Sequence, residues 1–92
     1  MAAGMYGADP DQLTALGTKL VAQNEPIAQI QTVVLTTLAG TTWQGPARDK
    51  FEAEWNDQFN PALNALKDAF TAAGNECTQR AASLSQVMGV VA

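Results

Sequence analysis

Glu52, Glu54 and Asp57 form the densest acidic group in the chain. Carboxylates gathered in this way could hold a cation or share general acid and base roles. Their spacing argues against both. Glu52 and Glu54 stand two apart, and residues two apart on a helix do not face one another. Arg48 and Lys50 lie alongside, so the group has the composition of a solvated helix face. Ser83 and Ser85 have no base to activate them. The single cysteine, Cys77, cannot form an internal disulfide, and it falls in an apolar series between Phe70 and Leu84, where a small buried side chain is expected. The chain has no histidine, which removes imidazole acid–base chemistry and imidazole metal ligation. The expectation is a non-enzymatic protein with no catalytic residue, no metal site and no cofactor, whose function begins with association.

Of the 92 residues, 47% are hydrophobic, ample for a folded chain, yet only 15% are charged. So little charge implies an outer surface that is polar without charge, or one that another chain covers. The net charge is −4, and the 5 Lys and Arg residues are scattered. Nucleic acid and anionic membrane surfaces are therefore not expected as partners. The longest aliphatic run, Val33-Val34-Leu35, is far too short to cross a bilayer, so no integral membrane segment is expected. Met1 to Asp11 has neither the basic flank nor the apolar stretch of a cleavable leader.

These residues must be positioned by two helical segments, which lie on either side of Trp43-Gln44-Gly45. Asp9-Pro10-Asp11-Gln12 reads as a helix start, with Asp9 as cap and Pro10 in the first turn. Leu13, Leu16, Leu20, Ile27, Ile30, Val34 and Leu38 follow at helical spacing, and Val21, Ala28 and Leu35 widen the stripe beyond what one neighbouring helix covers. Gly40 ends this helix, and Gly45-Pro46 opens the next. The second helix carries Phe51, Trp55, Phe59, Leu63, Leu66, Phe70, Ala73, Cys77, Leu84 and Met88, with Gly89 as its stop. The expected fold is all-α: one domain over 1–92, an antiparallel helix-turn-helix hairpin with helices over about 10–39 and about 46–88 and a turn over about 40–45.

An antiparallel register pairs Leu38 with Phe51, Val34 with Trp55, Ile30 with Phe59, Leu20 with Phe70 and Leu13 with Cys77. It brings Tyr6 near Leu84. Pro26 and Pro61 then fall at nearly the same height and read as paired bends in a curved hairpin; the rival reading is that one or both helices break there. The first helix is the less charged of the two, which places it in the middle of any assembly.

The pattern Trp43-x-Gly45-x-Ala47-x-x-x-Phe51-x-x-x-Trp55, centred in a chain of this length between two apolar ladders, resembles the signature of the WXG-motif family of small ESAT-type proteins. Tyr6-Gly7-Ala8-Asp9 ahead of Leu13 resembles the opening of its actinobacterial members. The resemblance implies a hairpin that dimerises into a four-helix bundle, with itself or with a paralogous partner. It implies synthesis in a bacterial cytoplasm and export as a folded dimer, without a cleavable signal peptide, by a type VII secretion system and its membrane ATPase. Trp43 and Gly45 are then the secretion turn. The hairpin and dimer core would be drawn from the apolar residues Leu13 to Leu38 of the first ladder and Phe51 to Phe70 of the second.

The family's export signal also includes a Tyr-x-x-x-Asp/Glu element in the tail. Here the only tyrosine is Tyr6, and no acidic residue follows Glu76, so this chain would supply the turn half and a partner the tail half. Val87, Met88 and Val91 are candidates for tail docking, for example into an apolar groove of the secretion ATPase. Two alternatives stay open: an adaptor or chaperone-like partner of a larger secreted effector, and a structural helical subunit of a phage or surface assembly.

Overall fold

Asp9 starts the first helix by accepting hydrogen bonds from the N–H groups of Asp11 at 2.8 Å and Gln12 at 3.3 Å. Pro10 takes the first helical position, where its missing N–H leaves nothing unpaired. In the computed structural model, which describes residues 8–91 and the side chains of 8–86, helix α1 runs Pro10–Ala22 and helix α2 runs Asn24–Ala39. Gln23 separates them. The cause is Pro26, which has no N–H to give to Ala22 and whose ring crowds that carbonyl. The chain recovers by turning the Gln23 N–H back to Leu20 O at 3.2 Å. Of the two readings of Pro26, the break is what forms.

Pro61 is handled differently. Helix α3, Pro46–Glu54, leads into a π-helical turn, Trp55–Phe59, and helix α4, Asn60–Val91, follows directly. The Asn60 N–H reaches back five residues to Trp55 O. The wider turn takes in one extra residue just before Pro61 and makes room for its ring, so the second arm continues unbroken. Backbone helix also continues through Gly89 to Val91, so Gly89 is not the stop expected of it. Between the arms, Gly45 adopts φ +123°, a conformation that side chains resist, and it presents Pro46 as the first residue of α3.

The fold is therefore all-α across the described residues, with two long antiparallel arms and extents of 68 × 20 × 17 Å. The seam between the arms follows an alternating three-and-four spacing. On the first arm it runs Leu13, Gly17, Leu20, Asn24, Ile27, Gln31, Val34, Leu38. On the second it runs Asn60, Leu63, Lys67, Phe70, Gly74, Cys77, Ala81, Leu84. Every one of these positions is buried or half-buried.

The arms come closest at two glycines. A Cβ on Gly17 would lie 2.7 Å from Gly74 O, and a Cβ on Gly74 would lie 2.7 Å from Gly17 O. These are backbone atoms that cannot swing aside. Gly17→Ala should therefore lower stability by about 1–3 kcal/mol despite the helix propensity that alanine adds. Gly40→Ala, where the new Cβ would meet Thr36 O at 3.5 Å and Thr37 O at 3.9 Å, both ordinary contacts, should be neutral or stabilising. Thermal melts of the pair check this, and equal melting points would refute the tight crossing.

The observed register differs from the one the apolar residues alone suggest. At the tip, Leu38 and Phe51 do share one groove. Toward the base the second arm is displaced by about one turn. Gly17 faces Gly74, Cys77 and Thr78, and Leu13 shares a groove with Arg80 and Leu84 instead of lying opposite Cys77. Asn24 Nδ2 donates to Thr71 Oγ1 at 2.7 Å, and Gln31 Nε2 donates to Asn60 Oδ1 at 2.8 Å and Asn64 Oδ1 at 2.9 Å. Part of the offset is the residue that the π turn inserts, and the rest follows from these polar and glycine contacts. Pro26 and Pro61 are thus not level, and they do not act as paired bends. The expected neighbour of Leu84, Tyr6, lies outside the described residues.

Candidate interaction surface

At the tip, the Trp43 ring packs on Phe51 with centroids 6.1 Å apart and planes tilted by 46°. It remains 37% exposed. Arg48 fastens this turn to the second arm. Its Nη1 donates to Trp43 O at 2.9 Å, while Nε and Nη2 grip Glu52 Oε1 at 3.1 and 2.7 Å. Such a fork fixes the Trp43 backbone independently of its indole. Val33, Val34, Thr37, Leu38 and Thr41 join Trp43 and Phe51 in lining a shallow, almost wholly apolar groove.

Of the carboxylates that opened the sequence reading, Glu52 and Glu54 lie half-buried on α3, and Asp57 lies exposed in the π turn. Glu52 pairs with Arg48, and Glu54 lies 3.9 Å from Lys50. Among the described residues no group of three or more His, Cys, Asp or Glu side chains is placed to hold a metal ion. Ser83 and Ser85 are exposed, and Cys77 is half-buried in the seam.

The two sides of the seam are unlike. On one side lie Gly17, Asn24, Gln31 and Leu38, facing Asn60, Lys67, Gly74 and Ala81. All three side-chain hydrogen bonds between the arms, among the described residues, fall here. So do four of the most deeply buried positions, Gly17, Gln31, Gly74 and Ala81. On the other side lie the strict seven-residue series Leu13, Leu20, Ile27, Val34 and Leu63, Phe70, Cys77, Leu84. Of these only Ile27 is buried, and the rest are half-open. Among the described residues two polar atoms are sealed without a partner, Asn24 Oδ1 on the closed side and Trp55 Nε1 at the start of the π turn.

The residues expected to form the hairpin and dimer core therefore separate into three sets. Ile27 and Trp55 are buried at 7% and 5% exposure. Leu13, Leu20, Val34, Leu38, Phe51, Leu63 and Phe70 are half-buried. Leu16, Ile30, Phe59 and Leu66 stay 44–49% exposed in the hairpin. A face of that size gains free energy by being covered. The side chains of the tail candidates Val87, Met88 and Val91 lie outside the described residues. The closed side of the seam and the Arg48 clamp were not anticipated. The signal for the former was present, since the three-and-four spacing runs unbroken through Gly17, Asn24 and Gln31. Arg48 stood four residues before Glu52, the spacing of a helical ion pair.

No family model, curated protein or solved structure matches the chain. Among the described residues no helix is long and apolar enough to cross a membrane.

Proposed function

We propose that this chain is a small non-enzymatic protein of the type VII secretion kind, which dimerises into a four-helix bundle and is exported, alone or with a tailed partner, through its Trp43-x-Gly45 turn. The observation that carries the reading is a thin hairpin whose large apolar side chains, Ile30, Val33, Phe59 and Leu66 among them, stay 44–61% exposed beside an aromatic turn. Each such side chain, with about half of its surface in water, forgoes on the order of 1 kcal/mol that full burial would supply. A second hairpin supplies that burial, and the partly exposed Trp43 offers the secretion ATPase an anchor of the type that dominates recognition.

The test is solution mass, alone and with the protein encoded beside it, followed by export from a bacterium that carries the secretion machinery. The expected result is a dimer of hairpins in one of the two mixtures and appearance of the chain outside the cell. A stable monomer in both mixtures would refute association, and retention in the cytoplasm of such a strain would refute export. Stable capture of a much larger effector would replace this reading with that of an adaptor.

A further inference from the structure

We infer that the polar and glycine positions of the seam act as a lock, which holds the hairpin in one phase and keeps a competing apolar seam of the same chain facing outward. The chain carries two overlapping seams. They share Leu13, Leu20, Ile27 and Val34 on the first arm and Leu63, Phe70, Cys77 and Leu84 on the second. They differ at alternate rungs, where a small or polar residue stands beside a large apolar one: Gly17 beside Leu16, Gln31 beside Ile30, Asn60 beside Phe59 and Lys67 beside Leu66. At all four rungs the hairpin turns the small or polar member inward, and Leu16, Ile30, Phe59 and Leu66 are left 44–49% exposed. Hydrophobic burial alone favours the opposite choice at each of them.

Specific contacts outweigh it. Gln31 is 9% exposed, and its Nε2 donates to both Asn60 Oδ1 and Asn64 Oδ1. Asn24 donates to Thr71 one step nearer the base. Turning either arm to admit Ile30 or Phe59 would separate these groups, and a buried amide without its partners is costly. Gly17 and Gly74 bring the two backbones together, and the Leu16 side chain turned into that crossing would push them apart. Polar groups within a helical seam select one register in this way at some cost in stability.

The two seams also differ in register. The competing seam is the one that the apolar residues alone suggest, with Leu13 opposite Cys77, whereas in the folded hairpin Gly17 faces Cys77. Passing from one to the other takes a slide of about one helical turn and a rotation of each arm by about half of the roughly 100° between neighbouring residues. The break at Gln23 and the π turn Trp55–Phe59 lie between base and tip, and they can absorb the slide while Trp43 stays on Phe51. The lock belongs to a single chain. Only its use, which is to keep the four apolar side chains available to a partner, rests on the association reading above.

Cys77 lies in both seams and is the only cysteine of the chain, so it reports the register. Leu13→Cys supplies a second thiol at another shared position. Under mild oxidation of the full chain, an intramolecular disulfide, recognised by its monomeric mass without reductant, forms readily only when the two positions face each other. Leu13→Cys alone should cross-link slowly. Adding Asn24→Ala and Gln31→Ala should speed cross-linking on the order of tenfold or more at unchanged helix content by circular dichroism, which the loss of three hydrogen bonds of ordinary strength allows. Adding Ile30→Ala and Phe59→Ala to that chain removes the apolar alternative and should return it to slow cross-linking. Fast cross-linking with the lock intact, or no gain in a helical unlocked chain, would overturn the lock. A rate that stays high after Ile30 and Phe59 are truncated would overturn the competing seam, because a merely loosened hairpin behaves in that way. Should the Asn24 and Gln31 variant lose helix, Gln31→Ala alone is read by the same criteria. Solution mass reports association separately, so a monomeric result there would remove the association reading and leave the lock standing.

Discussion

Replacing Trp55 with alanine is expected to lower stability by about 3 kcal/mol or more, the low end of the range for removing a large core aromatic. Trp55 is the most deeply buried large side chain among the described residues, at 5% exposure, and it lies where the second arm leaves α-helical geometry for the π turn. Its Nε1–H has no partner, so the loss is one of packing and not of a hydrogen bond. That detail separates two substitutions. Trp55→Phe keeps the aromatic plug and removes the sealed N–H, which is itself costly to bury, so it should change stability by less than about 1.5 kcal/mol. For a domain of this size, 3 kcal/mol corresponds to a fall in melting temperature of roughly 12–24 °C. The melts must be compared at one protein concentration, because any association couples stability to concentration. Should Trp55→Ala melt within error of the parent, the residue is not the core element its burial makes it.

The parts of this fold that announce themselves in the sequence are those with an apolar or a capping signal. Asp9-Pro10 and Gly45-Pro46 start their helices by local chemistry, and Leu13, Leu20, Ile27 and Val34 set a helical period that no other structure shares. The closed half of the seam has no such signal. Gly17 and Gly74 contribute by what they lack, and Gln31 is held between two asparagines that individually read as surface. A register built on apolar residues alone therefore aligns the open side and misplaces the base by about a turn. The outcome at each proline was likewise beyond local reading. Pro26 and Pro61 break the same rule, but one is resolved by interruption at Gln23 and the other by a π turn. The contacts across the arms differ as well: Asn24 bonds Thr71 beside the first proline, and Gln31 bonds Asn60 and Asn64 beside the second. Among the candidate surface residues, the partial exposure of Trp43 beside its packing on Phe51 was legible because hairpin tips have little core to offer. That Phe59 and Leu66 lie open in the hairpin depended on the arms' actual phase.

Trp43→Ala is expected to abolish export while leaving the hairpin folded. The two effects separate because the turn is held by backbone and by Arg48. The Arg48 guanidinium bonds the Trp43 carbonyl, which alanine retains, and Gly45 keeps the φ of +123° that admits Pro46 into the second arm. What the substitution removes is an indole resting on Phe51 at a centroid distance of 6.1 Å, with 37% of the residue already in solvent. The stability cost should be on the order of 1–2 kcal/mol, below that of Trp55→Ala, because only part of the ring is withdrawn from water. A recognition surface suffers more from the same change, since a central aromatic anchor accounts for a large share of a contact's free energy. Arg48→Ala provides the complementary perturbation: it keeps the indole but releases the backbone clamp, so export should fall because the anchor is no longer held in place. The measurement is the partition of each variant between cell pellet and medium, alongside its helix content. Normal export of a folded Trp43→Ala chain would remove the turn from the secretion signal and leave Trp43 only its packing on Phe51.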